Sequence, residues 1–122
     1  MKRDMELVRK ILLYLEEDDE PSKWKTITIK GYGANNISHH LKILYEAGLI
    51  EAKNISTKDI NIWQAKSLTW DGHELLDSIK NHTVWNRTKE GIKEKGFELG
   101  NIPIDILKEY AKIQFKQLFG LE

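Results

Sequence analysis

The chain has 122 residues, of which 40% are hydrophobic and 31% charged, and it contains no cysteine. This balance favours one soluble globular domain over a disordered chain, and the lack of thiols excludes disulfides and cysteine-ligated metal sites. The 19 basic and 19 acidic side chains cancel, so any basic patch that binds nucleic acid must be local. Because no apolar run is long enough for a signal peptide or a membrane-spanning helix, a cytoplasmic protein without membrane contacts is expected.

The first predicted element is a helix from Arg3 to about Glu17, where apolar side chains recur every three or four residues. An acidic segment that reaches Pro21 follows, and it predicts a loop. Residues 25–30 (KTITIK) alternate between polar and β-branched side chains. That alternation predicts a short strand at the edge of a sheet.

The second predicted helix spans residues 35–47 and has two different faces. Its apolar face is expected to pack in the core, while its other face is polar and free. Either Asn35 or Asn36 is expected to cap its start, because a short side-chain acceptor satisfies the first free amides. Gly48 is expected to end it in the left-handed conformation. The residues expected on the polar face are Ser38, His39, Lys42 and Glu46.

Few residues remain in front of this helix. A helix-turn-helix protein has a separate helix there, which crosses the DNA backbone. Only residues 30–34 separate the predicted strand from Asn35, and two of them are glycines. At 1.5 Å rise per residue this segment makes little more than one turn. The helix that should precede the second helix is therefore expected to be stunted or absent.

Two further strands and a helix are predicted next. Residues 49–55 and 63–68 favour strands joined by a loop, and Thr69 is expected to cap a helix over residues 70–80. Gly72 is expected to let that helix approach the sheet closely. Of the four tryptophans, Trp70 and Trp85 are expected in the core. For Trp24 and Trp63 both a core position and a place on a partner surface remain possible interpretations.

The remaining sequence favours helices. Helical periodicity resumes after a break near Asn81 and reaches Lys95, and a linker over residues 96–103 leads to a last helix over residues 104–118. The order predicts an α+β fold: a winged helix, meaning a three-helix core with a small antiparallel sheet, plus a C-terminal helical extension. The predicted domains are a winged-helix domain (residues 1–81) and an extension (residues 82–122) that packs on it or mediates dimerisation.

Two signatures resemble those of known regulators. The segment from Ile37 to Ile50, with its Ser, His-Leu-Lys and Ala-Gly-Leu-Ile steps, resembles the recognition helix and exit strand of ArsR- and MarR-type winged-helix proteins. Residues 68–76 (LTWDGHELL) resemble the step that closes the wing and opens the next helix in the same superfamily. Both resemblances imply a winged-helix fold.

Nearly the whole chain resembles the phage and prophage family called domain of unknown function 2513. The resemblance is carried by MKRDM at the start, RKIL at 9–12, GY at 31–32, His40, EAGLIE at 46–51, SLTWDGH at 67–73 and TVWN at 83–86. It implies a winged-helix fold and a phage or prophage setting, with no assigned activity. The chain is identified as a member of that family on these residues.

The polar side chains of the second helix are the candidate DNA contacts. Amide, hydroxyl, imidazole and ammonium groups can contact base edges and phosphates, although a merely solvated helix face fits the pattern equally well. The candidates are Asn35, Ser38, His39 and Lys42, together with Lys58 in the loop between the two later strands.

The C-terminal helix offers a second candidate surface. Its apolar face either packs on its own domain or contacts a second copy or another partner, and the candidate contact residues are Leu107, Ala111, Phe115 and Leu118. No catalytic motif, cofactor site or metal motif is predicted. Adjacent His39 and His40 diverge by about 100° on a helix, so they cannot both bind one ion.

These observations predict a small phage or prophage protein that binds double-stranded DNA or modulates transcription, with a homodimer through the C-terminal helix supplying two half-sites. The alternative is a winged-helix adaptor or inhibitor that binds a host protein and no DNA. The zero net charge and the missing helix favour this alternative. In either case the protein is expected to act in the cytoplasm of a bacterial host and not to be an enzyme.

Overall fold

A computed structural model describes residues 1–121 of the chain. Its described residues form five α-helices and a two-stranded antiparallel sheet, and none of these helices combines the length and apolar character needed to cross a bilayer. The elements are α1 (Met5–Glu17), α2 (Ala34–Glu46), β1 (Ile50–Asn54), β2 (Trp63–Leu68), α3 (Trp70–Ile79), α4 (His82–Glu94), a 3-10 turn (Leu99–Asn101) and α5 (Ile104–Phe119).

The predicted α+β class is confirmed, and the arrangement is winged-helix-like. Helices α1, α2 and α3 surround a hydrophobic core, and the β1–β2 hairpin packs beside α2. Within residues 18–33 there is no helix, as the short spacing predicted. The first helix of a helix-turn-helix is therefore missing from this fold.

A buried histidine joins α1 to α2. The imidazole of His40 has no exposed surface: its Nδ1 hydrogen-bonds the carbonyl of Asn36 at 2.8 Å, and its Nε2 accepts from the amide of Asp4 at 2.8 Å. These partners require the neutral ring with the proton on Nδ1. Burial, the largest cause, lowers the pKa of His40 below its usual 6.5. Because Asp4 caps α1 with its carboxylate, the histidine fixes the start of α1 against α2.

The junction between α2 and α3 has the predicted local structure. Gly48 has a φ of +76° and ends α2, and the hydroxyl of Thr69 accepts from the amide of Gly72 at 3.1 Å. The same hydroxyl donates to the carbonyl of Gly48 at 2.6 Å, and the Thr69 amide donates to the carbonyl of Leu49 at 3.0 Å. A side chain on Gly72 would place its Cβ 2.0 Å from the Leu49 carbonyl oxygen. The predicted close approach at Gly72 is therefore confirmed.

Helices α4 and α5 pack against the same core. The indole of Trp85 is buried, as predicted, and donates to the carboxylate of Glu6 at 3.1 Å. Arg9 donates to the carbonyls of Ile79 and Lys80 at 2.9 and 2.6 Å, which joins α1 to the end of α3. Helix α5 in turn packs against α3 and α4.

The prediction of a strand over residues 25–30 is wrong. Lys25 alone pairs with the sheet, through two backbone hydrogen bonds to Ala65 at 2.9 and 3.0 Å. Beyond Lys25 the backbone leaves β2, because Ile27 is buried in the core and Ile29 packs against it. The alternating pattern thus reflects alternating burial in an extended loop.

Two other local predictions are corrected. Neither Asn35 nor Asn36 caps α2, since the helix begins one residue earlier and its N-cap is Gly33, which has no side-chain acceptor. Trp70 is 77% exposed and does not lie in the core. The Thr69 cap makes Trp70 the first residue of α3, and the helical period then places it opposite the buried Leu75 and Leu76.

Replacing Gly72 with alanine should destabilise the fold, because the new Cβ overlaps the Leu49 carbonyl oxygen. We expect the free energy of unfolding, measured by urea denaturation with circular dichroism, to fall by about 1–3 kcal/mol. The matched control is His73→Ala at the next, exposed position of α3, which should change it by less than about 0.5 kcal/mol. Equal stabilities of the two variants would contradict the close packing at Gly72.

Stability should fall in mild acid because of His40. Its folded pKa lies below the unfolded value of 6.5, so the unfolded state binds more protons and the free energy of unfolding decreases as the pH falls below about 6.5 towards the folded pKa. The measurement is urea denaturation from about pH 7 to about pH 5. His40→Gln should flatten this dependence, whereas His82→Gln at an exposed position should keep it. A His40→Gln variant with the wild-type slope would contradict the assignment.

Candidate nucleic-acid interface

Helix α2 presents one face to solvent because its other face is anchored in the core. Ile37, Leu41 and Leu44 are buried, together with His40. Three of the predicted contact residues, Asn35, His39 and Lys42, lie on the side away from these anchors. Asn35 and Lys42 are exposed, and His39 is half-buried. Amide, imidazole and ammonium groups therefore occupy one helix face.

Ser38 does not belong to the exposed face. It is 5% exposed, and its hydroxyl accepts a hydrogen bond from the amide of Trp63 at 3.1 Å. The position was expected to be polar and free, but the start of β2 packs over it. Tyr45 extends the same contact, with its ring centroid 5.9 Å from that of Trp63. The serine thus positions the hairpin beside α2.

The loop between β1 and β2, residues 55–62, is an ordered extension of the hairpin, and we call it the wing. The amide of Ile55 donates to the carbonyl of Ile62, and that of Thr57 to Ile60, both at 2.9 Å. The hydroxyl of Ser56 also accepts from the amide of Ile62 at 2.9 Å. Lys58 lies in the exposed tip between these bonds. The wing therefore holds its lysine outside the body of the protein.

A cluster that the sequence did not predict lies at the base of the wing. Trp24 is 38% exposed, and the ammonium groups of Lys53 and Lys66 lie 4.5 and 5.5 Å from its ring centroid. The bridge between Lys25 and Ala65 brings Trp24 next to the sheet. No local motif signals this cluster, because its members come from a loop and from two different strands. Cation–π attraction stabilises it.

The charge of this region differs from that of the whole chain. Residues 34–68 contain four lysines and three acidic residues. Elsewhere acidic side chains pair with lysines, and the ion pairs among residues 1–121 are Lys23–Glu20, Lys25–Asp18, Lys80–Glu16 and Lys89–Glu6. None of these pairs contains Lys42, Lys53, Lys58 or Lys66. The lysines around α2 and the wing thus carry charge that no acidic side chain in the described chain neutralises directly.

Helix α2 also begins without a side-chain cap. Gly33 supplies no acceptor, so the first amides of the helix lack the partner that Ser, Thr or Asp would give. A helix N-terminus of this kind attracts anions through its amides and its dipole. At the opposite end of the exposed face, Glu46 repels anions. The arrangement favours an anionic ligand near the start of α2.

The predicted contact residues of α5 fall into two groups. Leu107 and Ala111 are fully buried against the rest of this chain, so their side chains are covered already. Phe115 and Leu118 are 38% and 43% exposed. They follow Leu107 and Ala111 on the same helical stripe but lie nearer the C-terminal end of α5.

Two comparisons relate the chain to known proteins. The model of the family described as "Hypothetical protein (DUF2513)" matches residues 2–98. A Haemophilus influenzae (strain Rd) protein named "Uncharacterized protein" is 40% identical over 121 residues, which cover 98% of this chain and all of that protein. No solved structure matches the chain.

Replacing Ser38 with alanine should loosen the hairpin, because the Trp63 amide loses its acceptor. An unpaired, partly buried amide costs about 1 kcal/mol or more. Hydrogen exchange at the Trp63 amide should therefore be faster in the variant than in the wild-type chain, whereas exchange at core amides of α1 should not change. The matched control is Ser67→Ala, which removes an exposed hydrogen bond to Glu51 and should leave Trp63 unchanged. Unaltered exchange at Trp63 in the Ser38→Ala variant would contradict this role.

Proposed function

This chain belongs to the DUF2513 family, and we propose that it binds double-stranded DNA through α2 and the wing and thereby modulates transcription. The observation that carries the proposal is the fixed pairing of these two elements. Helix α2 is anchored by its apolar face, and Ser38 holds the hairpin beside it. A helix and a wing held at a fixed mutual angle form a suitable surface for a duplex groove and its adjacent backbone.

The exposed groups suit this ligand. Asn35 and Lys42 carry side chains that can pair with adenine and guanine edges, and His39 can donate or accept. Lys58 at the wing tip is suited to a phosphate. The uncapped amides at the start of α2 can bind a second phosphate, since they form an anion-attracting helix end.

The setting follows from the same proposal. A DNA-binding protein of this size would act in the cytoplasm of a bacterial cell, and the family resemblance favours a phage or prophage gene. A homodimer would allow two copies of α2 to contact two half-sites of one DNA element.

The second candidate function is binding of a host protein without DNA, as an adaptor or inhibitor. Two observations favour it. Residues 34–68 carry four lysines against three acids, which is a small excess for phosphate binding. In addition, no helix within residues 18–33 crosses the DNA backbone in front of α2.

The test is fluorescence anisotropy with a random duplex and with the DNA upstream of the protein's own gene, at low and moderate salt. Replacing both His39 and Lys42 with alanine should weaken binding by about tenfold or more and reduce the salt slope by about one. Lys58→Ala should weaken binding to both duplexes equally, because it contacts phosphate.

The matched control combines His82→Ala and Lys93→Ala, which remove the same groups from exposed positions of α4 and should leave DNA affinity unchanged. If both double variants lose DNA affinity equally, the DNA contact lies elsewhere on the protein. If the wild-type protein binds neither duplex at low salt, the DNA proposal fails and the protein-binding function takes its place. A pull-down with nuclease-treated lysate then identifies the partner.

A further inference from the structure

The C-terminal part of α5 and the residues that follow it expose apolar side chains. Leu107 and Ala111 are fully buried, but Phe119 and Leu121 are 71% and 67% exposed. Phe115 stacks on Phe119 with ring centroids 5.9 Å apart, so the exposed side chains form one apolar surface. An exposed apolar cluster of this kind marks a contact site in a soluble protein.

A groove lies between this part of α5 and the neighbouring helix α3. Ser78, Phe115 and Leu121 are among the residues that line it. The wall on α3 carries the exposed carboxylates of Glu74 and Asp77. The wall on α5 carries the exposed ammonium groups of Lys112 and Lys116. The groove is therefore apolar at its centre, acidic on one side and basic on the other.

The two walls do not neutralise each other within one chain. Among residues 1–121, none of the ion pairs joins an α3 carboxylate to Lys112 or Lys116. Two opposite charges on separate walls of one patch make that patch self-complementary. A two-fold axis through the groove brings the basic wall of one copy opposite the acidic wall of the other.

We propose that this groove is the interface of a two-fold symmetric homodimer. The occupant is the end of α5 from a second copy, whose exposed Phe119 covers the apolar part of the groove while its lysines face Glu74 and Asp77. The charge pattern selects a second copy over an unrelated protein, since each copy supplies both the acid and the base that the other needs. This inference does not depend on the DNA-binding proposal.

The test uses two charge-reversed chains. The acidic-wall variant carries Glu74→Lys and Asp77→Lys, and the basic-wall variant carries Lys112→Glu and Lys116→Glu. Each alone places like charges opposite each other twice in a symmetric dimer, so self-association should weaken by about tenfold or more. Mixing the two variants restores opposite charges at both contacts and should restore the dimer. Light scattering after gel filtration at about 50 µM reports the mass.

The wild-type chain should have twice the mass of one chain, and Phe119→Ser should make it monomeric. Phe97→Ser, which removes a similarly exposed ring outside the groove, should leave the dimer intact, as should the charge-matched Arg87→Glu with Lys93→Glu on α4. Circular dichroism verifies that each variant is folded. A monomeric wild type, or a mixture of the two reversed chains that stays monomeric, would overturn the proposal.

Discussion

The fold depends on one close contact, between the backbone of Gly72 and the carbonyl of Leu49. Thr69 fixes this contact through its hydroxyl, which caps α3 and also binds the carbonyl of Gly48. The end of α2, the start of β1, the end of β2 and the start of α3 therefore meet at a single point. Because α2 ends there in the left-handed conformation of Gly48, the direction of α2 is set relative to the hairpin. A larger residue at position 72 would separate α3 from the junction of α2 with β1, the two elements that carry the candidate interface.

The sequence predicted those features whose partners lie nearby along the chain. Gly48 ends a helix by its own backbone conformation, and Thr69 caps amides only three residues away. The missing helix before α2 was predictable too, because too few residues remain for it. The fold class follows from the order of such local elements.

Most features that depend on distant partners were not predictable; the close approach of Gly72 to Leu49 and the burial of Trp85 are the exceptions. Ser38 occupies a polar helix position, but the Trp63 amide, 25 residues away, covers it. Residues 25–30 alternate between polar and apolar side chains like a strand, yet Ile27 packs in the core and the backbone leaves the sheet. The candidate site was therefore predicted in part: Asn35, His39 and Lys42 lie on one face as the helical period requires, whereas the Trp24 cluster depends on tertiary contacts with two strands.

The position of α5 relates the two proposed surfaces. Helix α2 packs on α1 and the sheet, whereas α5 packs on α3 and α4. Covering the groove between α3 and α5 would therefore leave the exposed side chains of α2 and the wing available. In the proposed dimer a two-fold axis would repeat α2 and the wing, so that two sets of these lysines would be available to one DNA element. A modest local charge excess in each chain would become more effective in this way, because binding through two linked sites raises the overall affinity without any new contact. The zero net charge of one chain is then compatible with DNA binding by two.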